Sequence, residues 1–149
     1  MIGNDSYRIW LSGLRALDDD EKRIEIHRTC RHNLSYFAWL FFPRFFPFPF
    51  GRHHLDWLQP LERGKTYVVV APRGSAKTTW FEFLLPIHRI AYGLDDYIII
   101  VSETATLAEN RILDIKRQLE SNSLLRAVFG DLVGLERWKQ DDILTSTGI

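Results

Sequence analysis

Apolar and polar residues change rhythm several times along this chain, and each rhythm predicts an element. Tyr7, Ile9, Trp10, Leu11 and Leu14 make a short amphipathic segment within residues 1–17. Asp18, Asp19, Asp20 and Glu21 follow, carboxylates that suit the positive end of a helix dipole. A helix is therefore expected from there through Ile24, Ile26 and Cys30. Over residues 36–50 aromatic rings and prolines crowd together. Proline restricts itself and its predecessor, so this stretch is expected to be an extended arm that packs its rings on the domain. A platform for stacking single-stranded bases is the alternative, but only Arg44 and Arg52 interleave with the rings. Helical spacing returns at 51–59, with Leu55 and Leu58 on one face. His53 and His54 lie there side by side. Adjacent residues are expected on different sides of a helix, and a third ligand is lacking, so a metal site is not expected.

The second half alternates in type. Residues 66–70, Thr-Tyr-Val-Val-Val, read as a strand. A turn follows, and then helical spacing over 77–92 through Phe81, Leu84, Leu85, His88 and Ala91. Pro86 should kink that helix or end its first half, and Gly93 should stop it. Residues 97–101, Tyr-Ile-Ile-Ile-Val, are continuously apolar, as in a parallel strand covered on both faces. Thr106 and Glu109 have capping-box spacing. Behind them Ala108, Ile112, Ile115 and Leu119 face inward, with Asn110, Arg111, Lys116 and Arg117 outward. Phe129, Gly130 and Asp131 close another helical stretch, and 138–149 approach a further strand. Strand–helix alternation of this kind predicts an α/β fold, a parallel sheet flanked by helices with right-handed crossovers.

Chemistry concentrates between the first strand and its helix. An apolar β-branched run, a Gly-containing turn and Lys-Thr-Thr at a helix start have the layout of a phosphate-binding loop. Amides at a helix N-terminus point at an anion, and the dipole favours negative charge there. Pro72, Arg73, Gly74, Ser75, Ala76, Lys77, Thr78 and Thr79 are the candidate nucleotide contacts. Lys77 would reach the outer phosphates, and the Thr78 hydroxyl would ligate Mg²⁺. The full pattern, G-x-x-x-x-G-K-[ST], puts Ala71 and Ala76 at the two glycine positions, with Gly74 inside the loop. Alanine before the lysine is tolerated if its φ is negative. The 51–59 segment would lie above the nucleotide base. The plainer reading is an ordinary strand-to-helix turn with a solvated Lys77.

Composition narrows the setting. The 149 residues suit one domain with a real core, and 46% hydrophobic against 26% charged is globular. Nineteen basic and nineteen acidic side chains cancel, so any nucleic-acid surface must come from local patches. Cys30, the single cysteine, excludes an internal disulfide and suits a reducing compartment as a buried, inert thiol. The longest apolar run, 36–42, stops at Pro43, short of the roughly 20 residues that span a bilayer. A soluble, intracellular chain without a signal peptide is expected.

The sequences YFAWLFFPRFFPFPFGRHHLDWL, YVVVAPRGSAKTT and YIIIVSETATLAENRILDIKRQLESNSLLRAVFGDL, in that order, resemble the N-terminal ATPase domain of phage large terminase subunits. The resemblance covers about residue 36 to the end, and APRGSAKTT is similar to that family's deviant Walker A loop. It implies a P-loop NTPase-type core that binds ATP and Mg²⁺ and drives double-stranded viral DNA into a procapsid. Portal protein and a small terminase subunit would be partners, with a homo-oligomer on the portal, in the cytoplasm of an infected bacterium. Lys77 and Arg73 would be catalytic, Arg73 standing where the family carries an arginine proposed to stabilise the transferring phosphoryl group. Spread charge on the γ-phosphoryl is well met by a guanidinium.

One departure is severe. An apolar strand ending in Asp-Glu, the Walker B acid pair, does not occur, and neither the coupling motif nor a nuclease domain follows. The expected organisation is an arm at 1–50 and a partial ATPase core at 51–149, an N-terminal piece of a larger protein. Such a piece is expected to hydrolyse ATP poorly. A helicase-like P-loop NTPase and a non-enzymatic interaction domain with a degenerate loop are the competing readings.

Overall fold

A computed structural model describes residues 3–46, 50–57 and 68–149. Its contacts divide the chain into two units, Met1–Ser75 and Ala76–Ile149.

In the first unit, α1 (Gly3–Leu14) and α2 (Asp19–His32) are separated by a turn ending at Asp18. The Asp18 carboxylate accepts the Glu21 N–H at 2.8 Å, and the Glu21 carboxylate accepts the Asp18 N–H at 3.4 Å. Two orphan donors are thereby satisfied reciprocally, so the acidic run starts a helix as its charge suggested. After α2, Asn33 accepts the Tyr36 N–H and starts α3 (Leu34–Phe41) at once. A short helix, α4 (Arg52–Asp56), lies further along the same unit.

The aromatic stretch is thus not an extended arm from its beginning: residues 36–41 are helical. Its first proline is Pro43, so nothing interrupts the ladder before Phe42, whose N–H still bonds the Ala38 carbonyl. Helical spacing brings Leu34, Phe37, Ala38 and Phe41 into the core against Ile26 and Cys30 of α2. The rings do pack inward, with Phe42 and Phe46 also buried. Pro47, Phe48 and Pro49 lie outside the described residues. Burial pushes the Cys30 thiol up to about 12, and the Glu25 charge adds to the shift, as suits an inert core residue.

The second unit begins with three helical pieces end to end: α5 (Lys77–Thr79), a π-turn (Trp80–Leu84) and α6 (Leu85–Tyr92). Pro86 explains the middle piece. Its ring crowds the carbonyl four residues earlier, and widening the preceding turn relieves that clash. The Leu85 N–H accordingly donates to the Trp80 carbonyl, five residues back. Gly93, at φ 56°, ends α6 in the left-handed conformation that glycine adopts without strain.

Next come α7 (Ala105–Ser121) and α8 (Ser123–Phe129). The cap of α7 is Thr104, which accepts the Leu107 N–H at 3.3 Å; Thr106 and Glu109 lie inside the helix and do not start it. Ile115 and Leu119 are buried, while Ala108 and Ile112 are half-buried. Leu125, Val128 and Leu132 are also buried in this unit, as are Trp80, Leu84 and Ile87. An ion pair between Arg111 and Glu82, at 3.2 Å, adds a polar link from α7 to the π-turn.

The expected parallel sheet is not there. Among the described residues the structure contains no strand, only one isolated antiparallel bridge between Trp138 and Ile143. Of the 66–70 run, residues 68–70 are described, and Val68 and Val70 are 87% and 91% exposed. Tyr97, Ile99 and Val101 are 76%, 68% and 82% exposed, so this run is not covered on two faces either. Ile98 and Ile100 are half-buried, and residues 97–100 together line a pocket of about 180 Å³ with Ile90, Ile112 and Ile143. Branched side chains favour an extended backbone, but a strand also needs a hydrogen-bonding neighbour, and composition does not supply one. The α/β, P-loop NTPase-type sheet is therefore corrected to a helical architecture, in which the apolar residues at 68–70 and 97–101 belong to no helix or strand. No described helix is long and apolar enough to cross a membrane.

Candidate functional site

The loop at 71–79 is built by two left-handed residues on either side of Ser75. Pro72 opens it: its carbonyl accepts the Ser75 N–H at 3.4 Å, closing a four-residue turn. Gly74, third in that turn, has φ 82°, the sign that a type II turn requires at this position. A Cβ there would meet no atom within 4 Å, so glycine answers the backbone conformation rather than crowding.

Ala76 departs from the sequence expectation. It has φ 59° and ψ 18°, fully left-handed, although it is not glycine. The alanine at the glycine position has kept the glycine's conformation instead of avoiding it. An L-residue pays roughly 1–2 kcal/mol for that geometry. Ala76 is also the N-cap of α5, and no side-chain hydrogen bond caps the helix there. In general, backbone N–H groups next to left-handed residues can be turned toward an anion.

Ser75 between them is held at one group and orphaned at another. Its carbonyl lies 2.9 Å from Nε2 of His54, on α4. The other ring nitrogen, Nδ1, accepts the Gly51 N–H at 3.0 Å. A carbonyl only accepts, so the proton sits on Nε2 and the ring is the neutral Nε2–H tautomer. Burial lowers the His54 pKa; the bond to Ser75 opposes that shift, and the charge of His53 adds to it. The Ser75 hydroxyl, by contrast, is buried and has no hydrogen-bond partner among the described residues.

The two histidines do not diverge as adjacency suggested. Their ring centroids lie 3.9 Å apart, and both stand edge-on to Trp57. At the start of so short a helix, side-chain torsions rather than helical phase decide where each ring goes. Leu58 and Gln59 lie outside the described residues. The sequence singled out this segment as a lid over a base. Its observed contact is with the loop's own backbone, a role that no local pattern announces.

The remaining candidates are distributed as follows. Pro72 and Arg73 are exposed in the turn of the first unit. Lys77, Thr78 and Thr79 are half-buried on the first helical turn of the second, ahead of the fully buried Trp80. The first unit ends at Ser75 and the second begins at Ala76. Three acidic residues outside the loop form ion pairs. Asp95 pairs with Arg89 at 3.5 Å, Asp131 with Arg126 at 3.7 Å and Asp142 with Arg137 at 3.4 Å. Glu103 is exposed just before Thr104, the cap of α7.

Comparison with protein-family models, with curated proteins and with solved structures finds no match to the chain.

Proposed function

We propose that the loop at 72–79 binds the polyphosphate of a nucleoside triphosphate, as the ATP-binding part of a DNA-packaging terminase large subunit. The observation that carries the phosphate reading is the pair of left-handed residues, Gly74 and Ala76, around Ser75. The orphaned Ser75 hydroxyl supports it, because a buried donor without a partner is costly and a phosphate oxygen would satisfy it. The retained strain at Ala76 supports it too, since strained residues persist where a site needs their geometry. The packaging-motor reading rests on the sequence resemblance over residues 36–149. The α/β core that this resemblance implies is not found among the described residues, so the sequence alone carries this part of the reading.

In this reading the backbone amides around Ser75 cradle phosphate oxygens, and the Ser75 hydroxyl donates one more bond. The Lys77 ammonium neutralises the outer phosphates, and Arg73 spreads positive charge over the γ-phosphoryl as its bond breaks. Thr78 offers one hydroxyl to Mg²⁺, an ion usually bound by few protein groups together with phosphates and water. Held there, the ion would supply positive charge that offsets the charge developing on the phosphates. Double-stranded DNA, portal protein and the small subunit would be the partners of the assembled motor.

Titration with a fluorescent ATP analogue and Mg²⁺ tests this. Binding that Lys77→Ala weakens about tenfold or more is expected, with a smaller loss for Arg73→Ala. Equal binding by the wild type and both variants, or no binding at all, would overturn the nucleotide reading and leave an interaction domain with a degenerate loop. ATP turnover stimulated by portal rather than by single-stranded nucleic acid would favour the packaging motor over a helicase.

A further inference from the structure

We propose that His54 is a positioning residue for the phosphate loop: its Nε2–H clamps the Ser75 carbonyl and fixes the turn from which the loop's amides and the Ser75 hydroxyl are presented. This rests on the nucleotide reading above and adds a residue that belongs to no loop motif.

Three observations carry it. The first is the double hydrogen bond, in which one imidazole joins the Gly51 N–H at 3.0 Å to the Ser75 carbonyl at 2.9 Å, twenty-one residues further along. Both bonds use the same tautomer, so the ring is committed at both nitrogens. The second is that the ring cannot easily swing away. It stands edge-on between Phe50, at 5.6 Å and 62°, and Trp57, at 5.1 Å and 88°. Phe50 is in turn stacked on Trp39 of α3 at 4.7 Å and 14°. The loop is thereby anchored through aromatic contacts to the helical core of its own unit. The third is the choice of atom. A carbonyl in a phosphate cradle must point away from the anion, because its partial negative charge would repel a phosphate oxygen. A donor that holds the Ser75 carbonyl from behind keeps it turned out of the cradle, and the peptide plane then fixes the direction of the following amide.

Gly51 belongs to the same device. A Cβ at this position would come within 2.8 Å and 2.9 Å of His53 ring atoms, so a larger residue would disturb the adjoining rings and the N–H that reads Nδ1.

Two amide substitutions separate the clamp from general packing. The Gln side-chain nitrogen reaches the position of Nε2, whereas Asn reaches only that of Nδ1. Mg²⁺-dependent binding of the fluorescent ATP analogue is measured on the full chain for wild type, His54→Gln, His54→Asn and Lys77→Ala. Amide hydrogen exchange of residues 72–79 is measured without nucleotide. Circular dichroism checks that each variant is folded. Binding within about twofold of wild type is expected for His54→Gln. A loss of about tenfold is expected for His54→Asn, the scale of one well-placed hydrogen bond, together with faster exchange in the loop. Equal binding and equal exchange in Gln and Asn variants would overturn the clamp, whether or not Lys77→Ala abolishes binding. Slow exchange that depends on Gln, in a chain that binds no nucleotide, would sustain the clamp and sink the nucleotide reading instead. If His54→Asn unfolds, faster exchange of the 72–79 segment in His54→Gln than in wild type would overturn it.

Discussion

Replacing Ala76 by glycine should stabilise the protein, against the usual sign for a helix interior. At φ 59° and ψ 18° the alanine carries left-handed strain of roughly 1–2 kcal/mol, which glycine does not feel. Glycine also gains freedom in the unfolded chain, which removes about 0.4–1 kcal/mol of that benefit. The net expectation for Ala76→Gly is a gain of about 0.5–1 kcal/mol. Were Ala76 right-handed and within the helix, the same change would cost about 0.5–1 kcal/mol. The two geometries thus differ in sign, separated by about 1.5 kcal/mol. Urea unfolding followed by tryptophan fluorescence reads the difference, with the buried Trp80 four residues away as a reporter. With a slope of about 2 kcal/mol per molar urea, the midpoint should rise by roughly 0.3–0.5 M. Gly74→Ala is the matched control: φ is 82° and the added Cβ meets nothing, so only backbone strain acts and the midpoint should fall. A lower midpoint for Ala76→Gly would refute the left-handed loop, and with it the geometric argument for an anion cradle.

Other expectations follow from single contacts. A Cβ on Gly134 would collide with the Leu144 carbonyl oxygen. Gly134→Ala must therefore push apart neighbouring backbone segments that are joined by the bond from the Ser146 N–H to Leu132. Overpacking of that kind costs about 3 kcal/mol, and a melting point lower by roughly 5 °C or more is expected; a shift under about 1 °C would refute the close approach. Acidification should act through His54. Its native pKa lies below the unfolded value of about 6.5, so the folded state binds fewer protons. The contribution is fully present above about pH 6.5 and is lost as pH falls through the lowered native value. Protonation would also put a hydrogen on Nδ1, opposite the Gly51 N–H. The wild-type urea midpoint should therefore drop more between about pH 7 and pH 5 than that of His54→Gln; parallel drops would contradict the assigned tautomer.

What the sequence determined is mostly what local chemistry determines. The carboxylates at 18–21 start a helix because their oxygens reach the amides beside them. Gly93 and Gly130 end helices because only glycine enters positive φ freely, and Pro86 disturbs the helix around it because it clashes one turn back. Such effects act over three or four residues and can be read along the chain. Tertiary structure decided the matters that need a distant partner. The valines at 68–70 and the run at 97–101 have strand composition, yet pairing is a relation between segments, and neither finds a ladder among the described residues. Ala76 takes a left-handed conformation that its own side chain opposes, which no propensity of alanine predicts. His54 meets the Ser75 carbonyl across twenty-one residues, a contact set by the packing of Phe50 and Trp57 around its ring, which no spacing rule encodes.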